Sequence, residues 1–396
     1  MSVQLVTGNH AAGYALSAAG EANRDARGAV CGIYPITPQT EIVEYVAGFP
    51  FSRGRVVPVE SEHSAMGVSI GASLGGARAF TASSSNGLAY MTENIMVAGY
   101  YRLPIVMVAV NRTLGPPWNI WVDQGDTLML RDFPWVQLYC ETNQEVADTT
   151  LLAFRLAEDR RILLPVIVAM DAFIVSHTQT ETELPEQELV DRYLPPLDLP
   201  HRLDQNRPVT VGGLVWPHEG AAQRFEIDQA MARVPEVFEE CREEFGHVFG
   251  RDLGAAIQTY EVEDAETILV ASGTIATTTR ELVRRRREAG EKLGLIKIKL
   301  YRPFPEEEIR RACRVARKVG VLDRNYAAGQ GGIFWQDTRA AFQGRRDDLL
   351  IQDYLTGICG GDVTPAMIEH VLSDLASRES ADKPVWMDIE AAKEVP

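Results

Sequence analysis

The chain has 396 residues, 45% hydrophobic and 24% charged, and a formal net charge of −16. Its length favours two domains and its composition an ordinary globular protein, while its acidity, with no basic tract to offset it, argues against a nucleic-acid surface. No apolar stretch exceeds strand length, so none can span a bilayer, and Met1-Ser2-Val3-Gln4 lacks a signal-peptide pattern; a cytoplasmic protein is expected.

In chain order, an Ala-rich helix is predicted over 11–27, then an apolar strand over 29–33. A short strand at 56–59, a helix at 63–74, a strand at 79–82, a helix at 86–101 and a β-branched strand at 104–110 follow. Strand 136–139, helix 144–159 and strand 166–170 complete this unit. Strands that are apolar throughout and separated by helices imply a parallel sheet covered on both faces. Pro185, Pro195, Pro200, Pro208 and Pro217 then punctuate a crossing linker. Residues 225–249 read as one amphipathic helix, with an apolar stripe through Val234, Phe238, Cys241 and Phe245.

From residue 267 the alternation resumes, with strands at 267–271, 295–300, 319–322 and 349–352 and helices at 277–288, 306–316 and 365–376. The expected fold is α/β with two doubly wound domains, 1–183 and 256–396, joined by a linker and helix over 184–255. The block Arg284-Arg285-Arg286-Arg287 ends a predicted helix, where cations complement the dipole. Gly71-Ala72-Ser73-Leu74-Gly75-Gly76 lies inside and at the end of a helix, so it reads as close packing and a C-cap rather than a dinucleotide loop. Gly329-Gln330-Gly331-Gly332 reads as a plain turn.

Cys31, Cys140, Cys241, Cys313 and Cys359 are far apart with no C-x-x-C, so they read as buried, reduced thiols. They could not house an iron–sulfur cluster, which needs clustered thiolates. The histidines show no metal-ligand spacing, and no metal site is expected on this chain.

Three strand ends carry the chemistry. Tyr34-Pro35-Ile36-Thr37-Pro38 follows the first strand, and its prolines stiffen the backbone around Thr37. On residues alone, a helix cap and a ligand-facing hydroxyl weigh equally there. Glu62 opens an Ala/Gly-rich helix, where the helix dipole favours a carboxylate; Glu60 is the competing acid. Arg112 lies past the carboxyl end of strand 104–110, where open α/β sheets bind ligands, although alone it reads as a loop arginine. Ser83-Ser84-Ser85-Asn86-Gly87 also follows a strand, as a cap or a set of donors.

The Tyr-Pro-Ile-Thr-Pro turn, Glu60-Ser61-Glu62-His63-Ser64-Ala65-Met66-Gly67 and Asn111-Arg112-Thr113-Leu114 resemble the pyrimidine-domain (alpha) subunit of the 2-oxoacid:ferredoxin oxidoreductases, of the pyruvate synthase and phenylglyoxylate dehydrogenase type. Leu300-Tyr301-Arg302-Pro303-Phe304-Pro305 and Val321-Leu322-Asp323-Arg324-Asn325 extend the similarity over nearly the whole chain. The resemblance implies a thiamine-enzyme pyrimidine-type domain followed by a transketolase-C-terminal-like domain.

It also implies roles. Glu62 would hydrogen-bond the aminopyrimidine of thiamine diphosphate, and Thr37 and Arg112 would clamp the 2-oxoacid carboxylate. Tyr34 and Pro35 would wall the pocket, and Ser85 and Asn86 would border the cofactor. The segment from Gly115 to Asp126 looks like the family's active-site loop, with Asp123 and Asp126 retained. Its Trp118 is expected either to line an acyl pocket or to pack at a subunit interface.

The Gly-Asp-Gly signature that grips Mg²⁺ and diphosphate in thiamine enzymes is missing, since Gly361-Asp362-Val363 does not make it. The implied assembly is therefore heteromeric. A beta-type subunit would hold Mg²⁺ and the diphosphate, and gamma and ferredoxin-like delta-type subunits would supply the iron–sulfur clusters. Coenzyme A would take the acyl group. Pyruvate and phenylglyoxylate are the expected substrates, the latter with an added flavin subunit. A non-catalytic structural subunit is the alternative.

Overall fold

Apolar runs and their polar breaks generate two twisted sheets. The computed structural model describes residues 2–393. In chain order its strands are β1 (Ser2–Val6), β2 (Ala29–Ile33), β3 (Gly54–Pro58), β4 (Arg78–Ser83), β5 (Val106–Asn111), β6 (Val136–Cys140), β7 (Val166–Asp171) and β8 (Thr180–Leu184). They continue as β9 (Ile257–Tyr260), β10 (Thr267–Ala271), β11 (Leu293–Ile298), β12 (Leu300–Arg302), β13 (Lys318–Asp323), β14 (Leu350–Leu355) and β15 (Val385–Trp386).

The first sheet has the order β12-β6-β7-β5-β4-β2-β3 and the second β15-β14-β13-β10-β11-β9. Both are parallel apart from one antiparallel strand each, β12 against β6 and β9 against β11. Every residue of β4, β5, β6 and β7 is buried, as a sheet covered on both faces requires. In the first sheet β3 lies on one side of β2 and β4 on the other. That reversal opens a crevice outside the carboxyl ends of β2 and β4, the place where open α/β sheets take ligands.

Several elements depart from the sequence reading. β1 and β8 form a separate antiparallel ribbon, and their largely exposed residues carry no apolar run to mark them. The single helix expected over 225–249 is two, Pro217–Ala232 and Val234–Phe249, because Pro235 has no N–H to continue the first helix and fits the opening turn of the second. The helix over 86–101 breaks at Met91 into Ser85–Tyr90 and Thr92–Tyr100. Gly71 faces open space rather than a packed neighbour. Cys359 is exposed, unlike the four buried cysteines. The 329–332 turn spends a donor internally, with the Gly332 amide on the Asp353 carboxylate at 2.7 Å. Arg284 to Arg287 are each paired with acids, among them Glu281, Glu369 and Asp264.

The two sheets are not independent. β12 lies beyond the linker in sequence yet joins the first sheet, and Met107, Leu128 and Trp135 share one apolar cluster with Val270, Ile296 and Phe334. Lys297 on β11 donates to Glu141 at 2.9 Å and Glu145 at 2.8 Å, both just past β6. No helix among the described residues is long and apolar enough to cross a membrane.

The start of β4 is fastened by a buried ion pair. Arg78 donates in two-pronged fashion to Glu158 at 2.6 and 2.7 Å, and its remaining donors reach the carbonyls of Ala19 and Pro195. Removing one partner strands the other charge. Arg78→Ala is therefore expected to cost about 3–5 kcal/mol in urea unfolding of the purified chain, whereas Arg78→Met with Glu158→Leu should recover most of it.

Candidate active site

Three loops meet at the crevice. The first leaves β2 as Tyr34 to Gln39 and turns into the helix Thr40–Gly48. Gln39, not Thr37, occupies the helix N-cap position, so the cap reading of Thr37 fails. Asn9, at the start of the helix Gly8–Glu21, ties this turn down through the Pro38 carbonyl and the Glu41 carboxylate, both at 2.7 Å. Gln39 also donates to the Tyr34 carbonyl at 2.8 Å. Thr37 and Pro35 are left exposed, and Tyr34 is half-buried.

The second loop precedes the helix Glu62–Leu74, where the Ser61 hydroxyl accepts from the Ser64 amide. The two competing acids separate here. Glu60 is exposed and accepts from the Ser64 hydroxyl, which lowers its pKa. Glu62 is buried at 8% exposure, and no hydrogen bond to its carboxylate is present among the described residues. Gly87 makes room for it: a β-carbon there would stand 2.8 Å from Glu62 Oε1 and 2.5 Å from the Ser83 hydroxyl, which is buried without a partner.

The third loop leaves β5 at Asn111 and runs to Asp126. Asp126 is fully buried and is its anchor. One carboxylate oxygen takes the amides of Ser85 at 2.8 Å and Arg112 at 3.0 Å, and the other the side chain of Asn111 at 2.8 Å. Burial pushes this carboxyl up to about 7, while the Arg112, Asn111 and Ser85 donors pull it down. Ser85, at φ 49, is held in the left-handed region by that bond and by its hydroxyl on the Thr113 carbonyl. Asn86 pairs with Gly115 in both directions, at 3.0 and 3.2 Å. The side chains of Ser85 and Asn86 are thus engaged with the loop itself.

Arg112 is 8% exposed, and its Nη1 donates to the Thr37 carbonyl at 2.6 Å. Burial lowers its pKa, and attraction to Asp126 and Glu62 opposes that. It differs from the other buried arginines. Arg78 and Arg324 form ion pairs with carboxylates, whereas Arg112 forms none among the described residues; its Nε, like that of Arg324, is buried without a partner. Its charge is held in place by a neutral carbonyl and remains available to an anion. Trp118, 70% exposed, folds over Gly115, and Trp121, 52% exposed, rests on Phe173.

Hydrogen bonds, packing and attraction thus link Thr37, Arg112, Glu62, Ser85, Asn86 and Trp118, and Tyr34 and Pro35 lie in the loop that carries Thr37. Sequence reasoning did not find Asn9, the anchoring role of Asp126, or the role of Gly87, the last residue of the 83–87 segment. An orphaned carboxylate, a cradle that a β-carbon would fill and an unpaired guanidinium fit an aminopyrimidine beside a carboxylate substrate. Among the described residues, no group of three His, Cys, Asp or Glu could hold a metal ion.

A family model described as pyruvate flavodoxin/ferredoxin oxidoreductase, thiamine diphosphate-binding, matches residues 21–243. A second, pyruvate:ferredoxin oxidoreductase core domain II, matches 265–368. The pyruvate synthase subunit PorA of Methanothermobacter thermautotrophicus is 42% identical, over 90% of this chain and 92% of its own. The ketoisovalerate oxidoreductase subunit VorA of Pyrococcus horikoshii is 40% identical, over 94% of this chain and 93% of its own. In fold, the chain is similar to the 2-oxoglutarate:ferredoxin oxidoreductase of Magnetococcus marinus, with a TM-score of 0.68 and 22% identity, covering 94% of this chain and 65% of that one. With its thiamine-binding and core-II regions both matched and relatives aligned nearly end to end, the chain belongs to the pyruvate:ferredoxin oxidoreductase family.

Proposed function

We propose that this chain is the alpha-type subunit of a heteromeric 2-oxoacid oxidoreductase that decarboxylates its substrate oxidatively and passes the acyl group to coenzyme A. The observation that carries the reading is Arg112, a buried and unpaired guanidinium at the carboxyl end of β5, attracted to the Glu62 carboxylate. Thiamine diphosphate, when bound, supplies the carbon nucleophile and electron sink for decarboxylation. Glu62 holds a proton at an aminopyrimidine nitrogen. Arg112 binds and orients the substrate carboxylate, and the exposed Thr37 hydroxyl adds a donor beside it. Tyr34 and Pro35 border the pocket, and the loop carrying Trp118 limits access of water.

The chain lacks the diphosphate-binding signature, so Mg²⁺ and the diphosphate belong to a beta-type subunit. Electrons leave to iron–sulfur clusters on gamma- and delta-type subunits, in the cytoplasm. Relatives named for pyruvate and for ketoisovalerate are similar to this chain to nearly the same degree, so identity does not choose the substrate. Pyruvate is the first candidate. The exposed tryptophans at the site favour an arylglyoxylate such as phenylglyoxylate as the second, with a flavin subunit passing electrons to NAD. A purely structural subunit would have no use for a desolvated, unpaired arginine facing a carboxylate.

Glu62→Gln should abolish most turnover of the assembled complex and leave the assembly intact, while the exposed Glu60→Gln should be mild; dye-reduction assays of both would reverse the assignment if Glu60→Gln were the damaging change. Arg112→Ala should lower kcat/KM by the equivalent of about 2–5 kcal/mol. Arg112→Lys should restore only part of that, because an ammonium lacks the planar two-point contact. Thr37→Val keeps the carbonyl that holds Arg112 and should cost less, about 1.5–3 kcal/mol. Near-normal efficiency of Arg112→Ala at low 2-oxoacid concentration would place the clamp elsewhere. Trp118→Ala, assayed with pyruvate and phenylglyoxylate, should shift the preference between them if the ring lines an acyl pocket.

A further inference from the structure

The active-site loop is gripped from the second sheet. Past β14, residues 357–361 form a tight turn in which Gly357 at φ 69, Cys359 at φ 55 and Gly360 at φ 89 all take left-handed backbone. On one side the Cys359 amide donates to the Asp123 carboxylate at 3.1 Å, and the Asn119 side chain donates to the Cys359 carbonyl at 3.1 Å. A β-carbon on Gly360 would stand 2.1 Å from the β-carbon of Trp121, so only glycine permits this approach. On the other side Asp388 accepts the amides of Gly357 and Ile358, at 3.3 and 3.1 Å, which holds the turn from behind.

The contact reaches the site through a short path. Asn119 also accepts the Trp121 amide at 3.0 Å, and the Trp121 carbonyl accepts the Thr113 amide at 2.9 Å. Thr113 is the residue after Arg112. Asp123 caps Gly125 at 2.8 Å, one residue before the anchor Asp126.

We infer that the 357–361 turn is a positioning element for substrate binding: it sets the place of Trp121, hence of the segment from Thr113 to Asp123 that carries Trp118 and follows Arg112. A turn supplied by the second sheet thereby shapes the pocket of the first. The inference rests on the reading of this crevice as the 2-oxoacid site. The turn does not touch Glu62, and its path ends at the residue next to Arg112, so its main effect falls on substrate binding.

The test compares Gly360→Ala with Gly344→Ala in the assembled complex. Gly344 also has positive φ, at 69, but its β-carbon would meet open space, so it controls for backbone strain alone. Gly360→Ala should raise the KM for the 2-oxoacid on the order of tenfold to a hundredfold, with a smaller change in kcat and unchanged thiamine diphosphate content. Hydrogen exchange in the peptide spanning 113–122 should be faster than in Gly344→Ala. Asn119→Ala, a change at a half-buried residue that cannot unfold the core, should move KM and exchange in the same direction by less. KM and exchange in Gly360→Ala equal to those of Gly344→Ala would overturn the proposal. The exchange measurement does not depend on the assigned chemistry, so a failure of the 2-oxoacid reading, seen with Arg112→Ala, stays distinguishable from a failure of this one.

Discussion

The site depends on one buried carboxylate. Asp126 takes hydrogen bonds from the start of the helix Ser85–Tyr90, from the end of β5 and from the first residue beyond it. The carboxyl ends of β4 and β5 and the returning loop are thus fixed to a single rigid group. Burying that charge is unfavourable and raises its pKa, and the amide donors offset that cost. The same bonds hold Ser85 in a conformation that a non-glycine residue rarely adopts. The result is an Arg112 held at both ends, its amide on Asp126 and its Nη1 on the Thr37 carbonyl. Preorganisation of this kind is what makes a charged contact effective in a desolvated crevice.

Much of this was legible in the sequence, and the reasons for the gaps are physical. The strands of the first sheet announce themselves because β4 to β7 are apolar on both faces, and loops after parallel strands are where chemistry collects. Glu62 and Arg112 could be chosen only through the family resemblance, since on residues alone they read as a helix-start acid and a loop arginine. β1 and β8 could not, since their exposed ribbon carries no periodic apolar signal. The anchoring role of Asp126 escaped because it joins residues 41 positions apart, and the Cys359 contact because it spans 236. No local pattern encodes such pairs; they exist only once the topology has brought the strand ends together.

The second sheet is likewise more than an appendage. Asp171, at the end of β7, accepts the amide and hydroxyl of Thr274 at the start of the helix Thr274–Glu288, where a carboxylate complements the helix dipole. Arg324, at the end of β13, completes this junction by donating to Asp171 at 3.1 Å. The carboxyl ends of both sheets therefore face one another across a cleft of about 740 Å³ bordered by Trp121, Phe173 and Gly360. Strand ends that would carry separate sites in separate proteins here share one set of loops.

The contrast among the buried arginines gives the electrostatic logic of the site. Arg78 and Arg324 are neutralised within the chain by Glu158 and Asp171, and what they contribute is fixed geometry. Arg112 is desolvated to a similar extent, but its guanidinium donates only to the Thr37 carbonyl and meets no carboxylate among the described residues. A buried cation without a partner is costly to a folded chain. The nearby Glu62 and Asp126 carboxylates offset part of that cost by attraction, without direct contact to the guanidinium. An anion bound beside the guanidinium would relieve the remainder. Among the buried arginines, Arg112 thus keeps its charge unpaired where Arg78 and Arg324 pair theirs with carboxylates of the chain, and the carboxylate substrate proposed above would supply the partner it lacks.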